Sequence, residues 1–194
     1  MRQAIRQHAL SILADTFLDK YGSALPPDIV CEVLPKVCVP VAGKRIKILL
    51  LDESRMVSAM EEIMIEFEQC VSLLFKPLLH HLKRVVGAGA DLMSVWEPVL
   101  AVLEELLRDG TPMDGDKKRE LTPDNLRTTL KELASEHLRN AIIVFHANGV
   151  LESNPSRDGD DDNNTGISDM TWAAIDRMEF CRTLVKDWKG LTSQ

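Results

Sequence analysis

Few side chains in this chain have types and spacings that could do chemistry, and each set falls short of a working site. His80 and His81 are adjacent. Neighbours on a helix point in different directions, whereas two metal ligands on one helix face need a spacing such as i, i+4. The pair therefore reads as side chains at the edge of a helix face. His137 falls on an apolar stripe and His146 near a helix end, so packing and capping account for both. Asp158, Asp160, Asp161 and Asp162 form an acidic run, and Asp161, Asn163, Thr165 and Gly166 follow the first half of a calcium loop. The last position of that loop is Trp172 in place of a bidentate Glu, so the run reads as a solvated loop. Gly87-Ala88-Gly89-Ala90 has no strand before it and no Gly-Lys-Ser/Thr after it, which makes it a helix break and not a phosphate cradle. Cys31, Cys38, Cys70 and Cys181 form no CxxC pair and sit among apolar residues, as reduced core cysteines do. No Ser or Cys occupies a nucleophile elbow. Catalytic, cofactor-binding and metal-ligating residues: none is assigned, and the expectation is a chain that is not an enzyme.

The elements that could position such groups are helical. Hydrophobic residues make up 45% of the 194 residues, enough for a core, but aromatics only 5%. Leu, Val, Ile and Met dominate, which favours helices over β-sandwich strands. The formal net charge of −7 argues against nonspecific nucleic-acid binding, which needs clustered Lys and Arg. Residues 1–20 are amphipathic and carry Asp15 and Asp19, so no signal peptide is expected, and Asn163-Asn164-Thr165 is then not a glycosylation site. No apolar run approaches the roughly 20 residues of a membrane span; the best, Ile46 to Leu51, is interrupted by Lys47.

Helical spacing at Ile5, Ala9, Ile12, Leu13, Thr16 and Phe17 predicts a first helix over 2–20, ending near Tyr21-Gly22. Pro26-Pro27-Asp28 opens a short helix to about Leu34, limited by Pro35 and Pro40. Gly43-Lys44-Arg45 reads as a turn, and Ile46 to Leu51 as a helix or a buried extended piece. Ser54 is the expected N-cap of a long helix whose buried stripe includes Met60, Met64, Phe67, Cys70, Leu74 and Leu78. Pro77 should kink it or end its first segment. A further helix runs from Asp91 to Arg108 on Met93, Trp96, Leu100, Leu103 and Leu107, with Pro98 in or near the first turn. Residues 109–121 form a loop. Thr122-Pro123-Asp124 starts a helix with Leu126, Leu130, Leu133, His137, Leu138, Ile142 and Phe145 inward and Lys131 on its solvent side. It stops at Asn148-Gly149, a left-handed C-cap signal. Residues 152–166 are polar and acidic, and Ser168 caps a last helix with Trp172, Ile175, Met178, Cys181, Leu184, Val185 and Trp188.

About six helices and no period-two segment give an all-α fold, read as a segment of an α-solenoid of stacked antiparallel helical hairpins, HEAT-like or TPR-like. The domain reading is one helical-repeat domain over 1–189, with 152–168 an acidic flexible loop and 169–189 the terminal helix. Both end helices carry apolar stripes, and each should present a face to a further repeat. The three tryptophans, Trp96, Trp172 and Trp188, all fall on stripes and are expected in the core. The terminal helix is expected to pack on the helix that ends at Phe145.

Two phrases in the C-terminal third resemble a known family. Glu136-His137-Leu138-Arg139-Asn140, followed by the aliphatic run to Phe145 and then Gly149-Val150-Leu151, is similar to a phrase of the large Golgi Arf guanine nucleotide exchange factors, the brefeldin-A-resistance, Gea and GNOM family. Thr171-Trp172-Ala173-Ala174-Ile175 resembles that family's downstream Trp-containing phrase. The likeness covers roughly residues 120–186, with His137 where the family has Ser and the first Trp of the second phrase missing. It implies a C-terminal helical scaffold downstream of the exchange domain, cytoplasmic and peripheral at Golgi membranes, that regulates Arf activation in vesicle transport. Implied partners are other helical domains of the same exchange factor, small GTPases and membrane-recruitment proteins. The family's glutamate finger lies in a Phe-Arg-Leu-Pro-Gly-Glu sequence that this chain does not contain. The alternative is a stand-alone helical-repeat protein-interaction module unrelated to Arf; an enzyme would need His137, His146 and the acids to converge.

Overall fold

A computed structural model describes residues 2–18, 24–52, 58–108, 123–151 and 162–181. Among these residues the chain is helical throughout, without strands: α1 (Arg2–Leu18), α2 (Pro27–Val33), a π-helical turn (Leu34–Cys38), α3 (Val39–Leu51), α4 (Met60–Gly87), α5 (Met93–Leu107), α6 (Pro123–Ala147), α7 (Asp162–Arg177) and a 3₁₀ turn (Glu179–Cys181). It is an all-α helical-repeat fold. Ser54, Thr122, residues 109–121 and the stretch from Leu184 to Trp188 lie outside the described residues.

Pro35 and Pro40 do not limit the second helix. The chain passes from α2 through the π turn into α3 without a break. A proline removes one N–H and crowds the carbonyl four residues back. Widening the turn relieves the crowding, and the Val39 N–H bonds the Leu34 carbonyl, five residues back. Gly43-Lys44-Arg45, expected as a turn, is interior to α3. A Cβ on Gly43 would stand 2.9 Å from Cγ2 of Val102 on α5, so the glycine permits close helix approach. Ile46 to Leu51 is helix.

Helix α4, at 28 residues, is the axis of the fold and packs against α1, α2, α3 and α6. Residues Cys70 to Phe75 are buried without interruption, so here the helix is covered on every side. Pro77 is buried within it and ends nothing. Gly87 and Gly89 do end it. The Ala90 N–H bonds the Val85 carbonyl at 3.1 Å, the Gly89 N–H bonds the Val86 carbonyl at 3.0 Å, and Gly89 has φ +64°. Gly149 (φ +71°) closes α6 in the same way, as the sequence signal requires: the Val150 N–H bonds the Phe145 carbonyl and the Gly149 N–H the His146 carbonyl, both at 2.9 Å.

Asp91 caps α5 by accepting the Ser94 N–H at 3.2 Å, but Pro98 lies inside the helix and not in its first turn. On α6 the expected inward residues are buried or half-buried; Lys131, expected on the solvent side, is buried as well, at 8% exposure. Helix α7 begins at Asp162, six residues before Ser168, and Ser168 is buried in the helix and is not its cap. The acidic flexible loop expected over 152–168 is thus helical from 162 onward. Of the terminal helix expected over 169–189, the part through Arg177 is helix and is followed by the 3₁₀ turn; residues 182–189 lie outside the described residues.

The main neighbour of α7 is α5, where α6 was expected. Trp96 is the reason. Its indole is fully buried on α5, with its ring centroid 4.7 Å from Phe145 of α6 and 6.3 Å from Phe75 of α4. Its Nε1–H donates to Thr171 Oγ1 of α7 at 2.8 Å, and the Thr171 hydroxyl donates to the Ile167 carbonyl at 2.7 Å. One side chain therefore ties α5 to three other helices and keeps its polar atom satisfied. Trp172, Ile175, Met178 and Cys181 are buried, so the stripe of α7 is covered by the chain itself.

Candidate interaction surface

The groups that drew attention in the sequence do not converge. His80 is exposed on α4, whereas His81, expected at the helix edge, is 1% exposed. Its Nε2 faces the Phe17 carbonyl at 3.0 Å and its Nδ1 faces Arg84 Nη1 at 3.4 Å. Arg84 also donates from Nη2 to the Leu25 carbonyl at 2.6 Å. Burial, more than the nearby His80 and Arg84 charges, depresses the His81 pKa below its ordinary value. The neutral ring with Nε2–H then donates to the Phe17 carbonyl, in the last described turn of α1. His137 stacks on Phe75 with centroids 5.8 Å apart, and burial and then Lys76 lower its pKa too.

The four cysteines are free thiols, three of them buried. Burial pushes Cys38 up to about 11 and Cys181 to about 12; Cys70, with burial and then Glu66 acting on it, also reaches about 12. Such thiols stay protonated and unreactive. Asn163, Thr165 and Gly166 lie within α7, a geometry that cannot wrap a cation as a calcium loop does. Among the described residues no group of three or more His, Cys, Asp or Glu could hold a metal ion.

What the chain does present is a groove. The stripe expected to bury α1 does so only in part: Phe17 is buried and Leu13 packs against the core, but Ile5 is 63% and Ile12 53% exposed, and Leu10, outside that stripe, is buried. Across from Ile12, α3 exposes Val41 and Ile48, seven residues apart. Between the two helices runs a groove of about 720 Å³ lined by Ala9, Leu10, Ile12, Leu13 and Thr16 from α1 and by Val41 and Ile48 from α3. Its charged lining residues are Arg6, Lys44 and Arg45.

Glu66 sets the spacing of the two walls. It is on α4, fully buried, and its Oε1 accepts from Arg6 Nε of α1 at 3.4 Å and from Arg45 Nε of α3. Burial alone would raise the carboxyl pKa; the hydrogen bond and charge of Arg45, joined by Arg6, outweigh it and hold the group below its usual value. A buried carboxylate must be paired to persist, so both cationic stems are drawn to one point and α1 and α3 are held on either side of it. The sequence signal for Glu66 is its register: it stands three residues after Ile63 and four before Cys70, on a buried face. Nothing in the sequence indicated its two arginine partners, which are 60 and 21 residues away. A smaller groove between α3 and α5, of about 510 Å³, has mixed charge, with Lys44, Lys47 and Glu105.

Packed helices without convergent chemistry among the described residues, and with an exposed groove between α1 and α3, define a helical-repeat module. No helix of the described chain is long and apolar enough to cross a membrane. The chain matches, over residues 1–180, the family described as the GBF1-like tetratrico peptide repeat region, and it belongs to that family. The match reaches the N-terminal helices, well beyond the C-terminal third that carried the resemblance. Comparison with curated proteins and comparison with solved structures each returned no match.

Proposed function

We propose that this chain is a non-catalytic helical scaffold of a large Arf guanine nucleotide exchange factor, placed C-terminal to the exchange domain. In this reading it regulates Arf activation and takes part in recruiting the parent protein to Golgi membranes during vesicle transport. The observation that carries the reading is the family match over residues 1–180. It is supported by a hydrophobic cluster among the described residues that runs from Leu10 and Phe17 on α1 to Cys181 after α7. Its partners are other helical domains of the same exchange factor, together with small GTPases or membrane-recruitment proteins.

Two measurements test this. The purified chain, added at micromolar concentration to Arf loaded with labelled GDP, should leave the release rate at its spontaneous value; acceleration would refute the non-catalytic assignment. In cells, a full-length parent protein carrying Trp96→Ala should lose Golgi localisation, because that substitution unpins α5 from α4, α6 and α7. Normal localisation of a parent whose repeat region is shown to be unfolded would refute the recruitment role.

A further inference from the structure

The groove between α1 and α3 has the properties of a seat for a helix. The α3 wall offers two exposed β-branched residues seven apart, Val41 and Ile48, and the α1 wall offers Ile12 opposite them. Seven residues are two helical turns, about 10.5 Å along an axis. A helix with apolar residues at i, i+3, i+4 and i+7 matches that interval when laid along the walls. The charged side chains of the lining are all basic, in a chain whose net charge is −7. Glu66 offsets only one of them, which leaves the lining net positive. The same carboxylate ties both walls to α4, so the seat exists before anything binds and little ordering is needed on association.

We propose that this groove binds an acidic amphipathic helix from a partner protein, with the apolar face of that helix between Ile12 and Ile48 and its carboxylates toward Arg6 and Lys44. Concavity favours a helix over a bilayer surface. A second copy of this chain would set one basic groove against another, and like charges facing each other oppose that pairing. The inference goes beyond the scaffold reading and does not depend on Arf or on the Golgi.

The test uses the whole chain and a dye-labelled synthetic peptide of four helical turns, with Leu at i, i+3, i+4, i+7 and i+11 and Glu at the flanking positions. A second peptide replaces every Glu by Lys. Fluorescence anisotropy should show saturable binding of the Glu peptide and about tenfold weaker binding of the Lys peptide at low salt, with the preference shrinking as salt rises. Ile12→Glu and Ile48→Glu should each weaken the Glu peptide about tenfold or more with the melting temperature unchanged, since both residues are exposed. Lys44→Glu should narrow the preference between the peptides. Equal binding of the two peptides, or an Ile12→Glu chain that binds like the parent, would overturn the proposal. So would concentration-dependent dimerisation in sedimentation that Ile12→Glu abolishes, which would give the face to a second copy. Flotation with phosphatidylserine vesicles that the same variant abolishes would give it to a membrane and overturn it likewise.

Discussion

Trp96 and Thr171 test the tertiary arrangement most directly, because their hydrogen bond joins α5 to α7 across 75 residues of sequence. In Trp96→Phe the indole N–H disappears with its bond. The shaved ring leaves a cavity on the order of 40 Å³, and at roughly 24 cal/mol per Å³ that costs about 1 kcal/mol. Loss of the hydrogen bond adds about 1 kcal/mol. In Thr171→Val the shape is kept, but the indole N–H is left buried without an acceptor, at a cost of about 1–3 kcal/mol. The double variant has no N–H to orphan, so its cost should approach that of Trp96→Phe alone. The two single costs should therefore exceed the double by about 1–3 kcal/mol, well above the ~0.3–0.5 kcal/mol within which independent sites add. Urea denaturation of the four proteins measures this. Additive costs would show that the bond contributes nothing and that α7 is held on α5 by apolar contact alone.

Phe145→Ala should cost about 3–5 kcal/mol in chemical denaturation, since the ring is fully buried against Trp96, whereas Arg139→Ala, on the exposed side of α6, should cost less than about 0.5 kcal/mol; equal midpoints would mean that α6 is turned the wrong way. For His81, the depressed folded-state pKa means that the unfolded chain takes up the proton first as pH falls. Stability should therefore be at its full value above the unfolded pKa of about 6.5 and fall as pH drops below it toward the folded value. His81→Gln should flatten part of that slope, and His137, shifted in the same direction, should account for a further part; a melting temperature flat between pH 7 and 5 would refute the assignment. Millimolar calcium should leave the melting temperature unchanged, because Asn163 to Gly166 are already helical; a rise of several degrees would reveal a site.

Helix existence was legible from local pattern because the 3.6-residue period of apolar residues is written along the chain. The stripes of α4, α5 and α6, the stop at Asn148-Gly149 and the packing of Trp96 and Phe145 all follow from it. Breakers misled where a local cost is met by a tertiary gain. Pro35 and Pro40 read as ends because the sequence does not show that a wider turn accommodates both. Gly43 read as a turn because only the approach of α5 shows what a side chain there would strike. Pro77 stays inside α4 because burial there outweighs one missing hydrogen bond.

The direction of a face was the main thing that local pattern left open. Helix α1 offers two apolar sides, and only the position of α4 decides that Leu10 and Phe17 turn inward while Ile12 lines a groove and Ile5 stays exposed. Polar residues at buried positions had the same ambiguity: His81, Lys131 and Glu66 look solvated in sequence and are buried in the fold, His81 and Glu66 against partners that chain distance hides. The sequence by itself determined an all-α chain with the phrases of an Arf exchange factor's helical region, because periodicity, caps and those phrases are local. Which helices meet, which apolar stripe stays exposed and which charges gather beside it were decided only by tertiary structure, because burial depends on contacts between residues far apart in the chain.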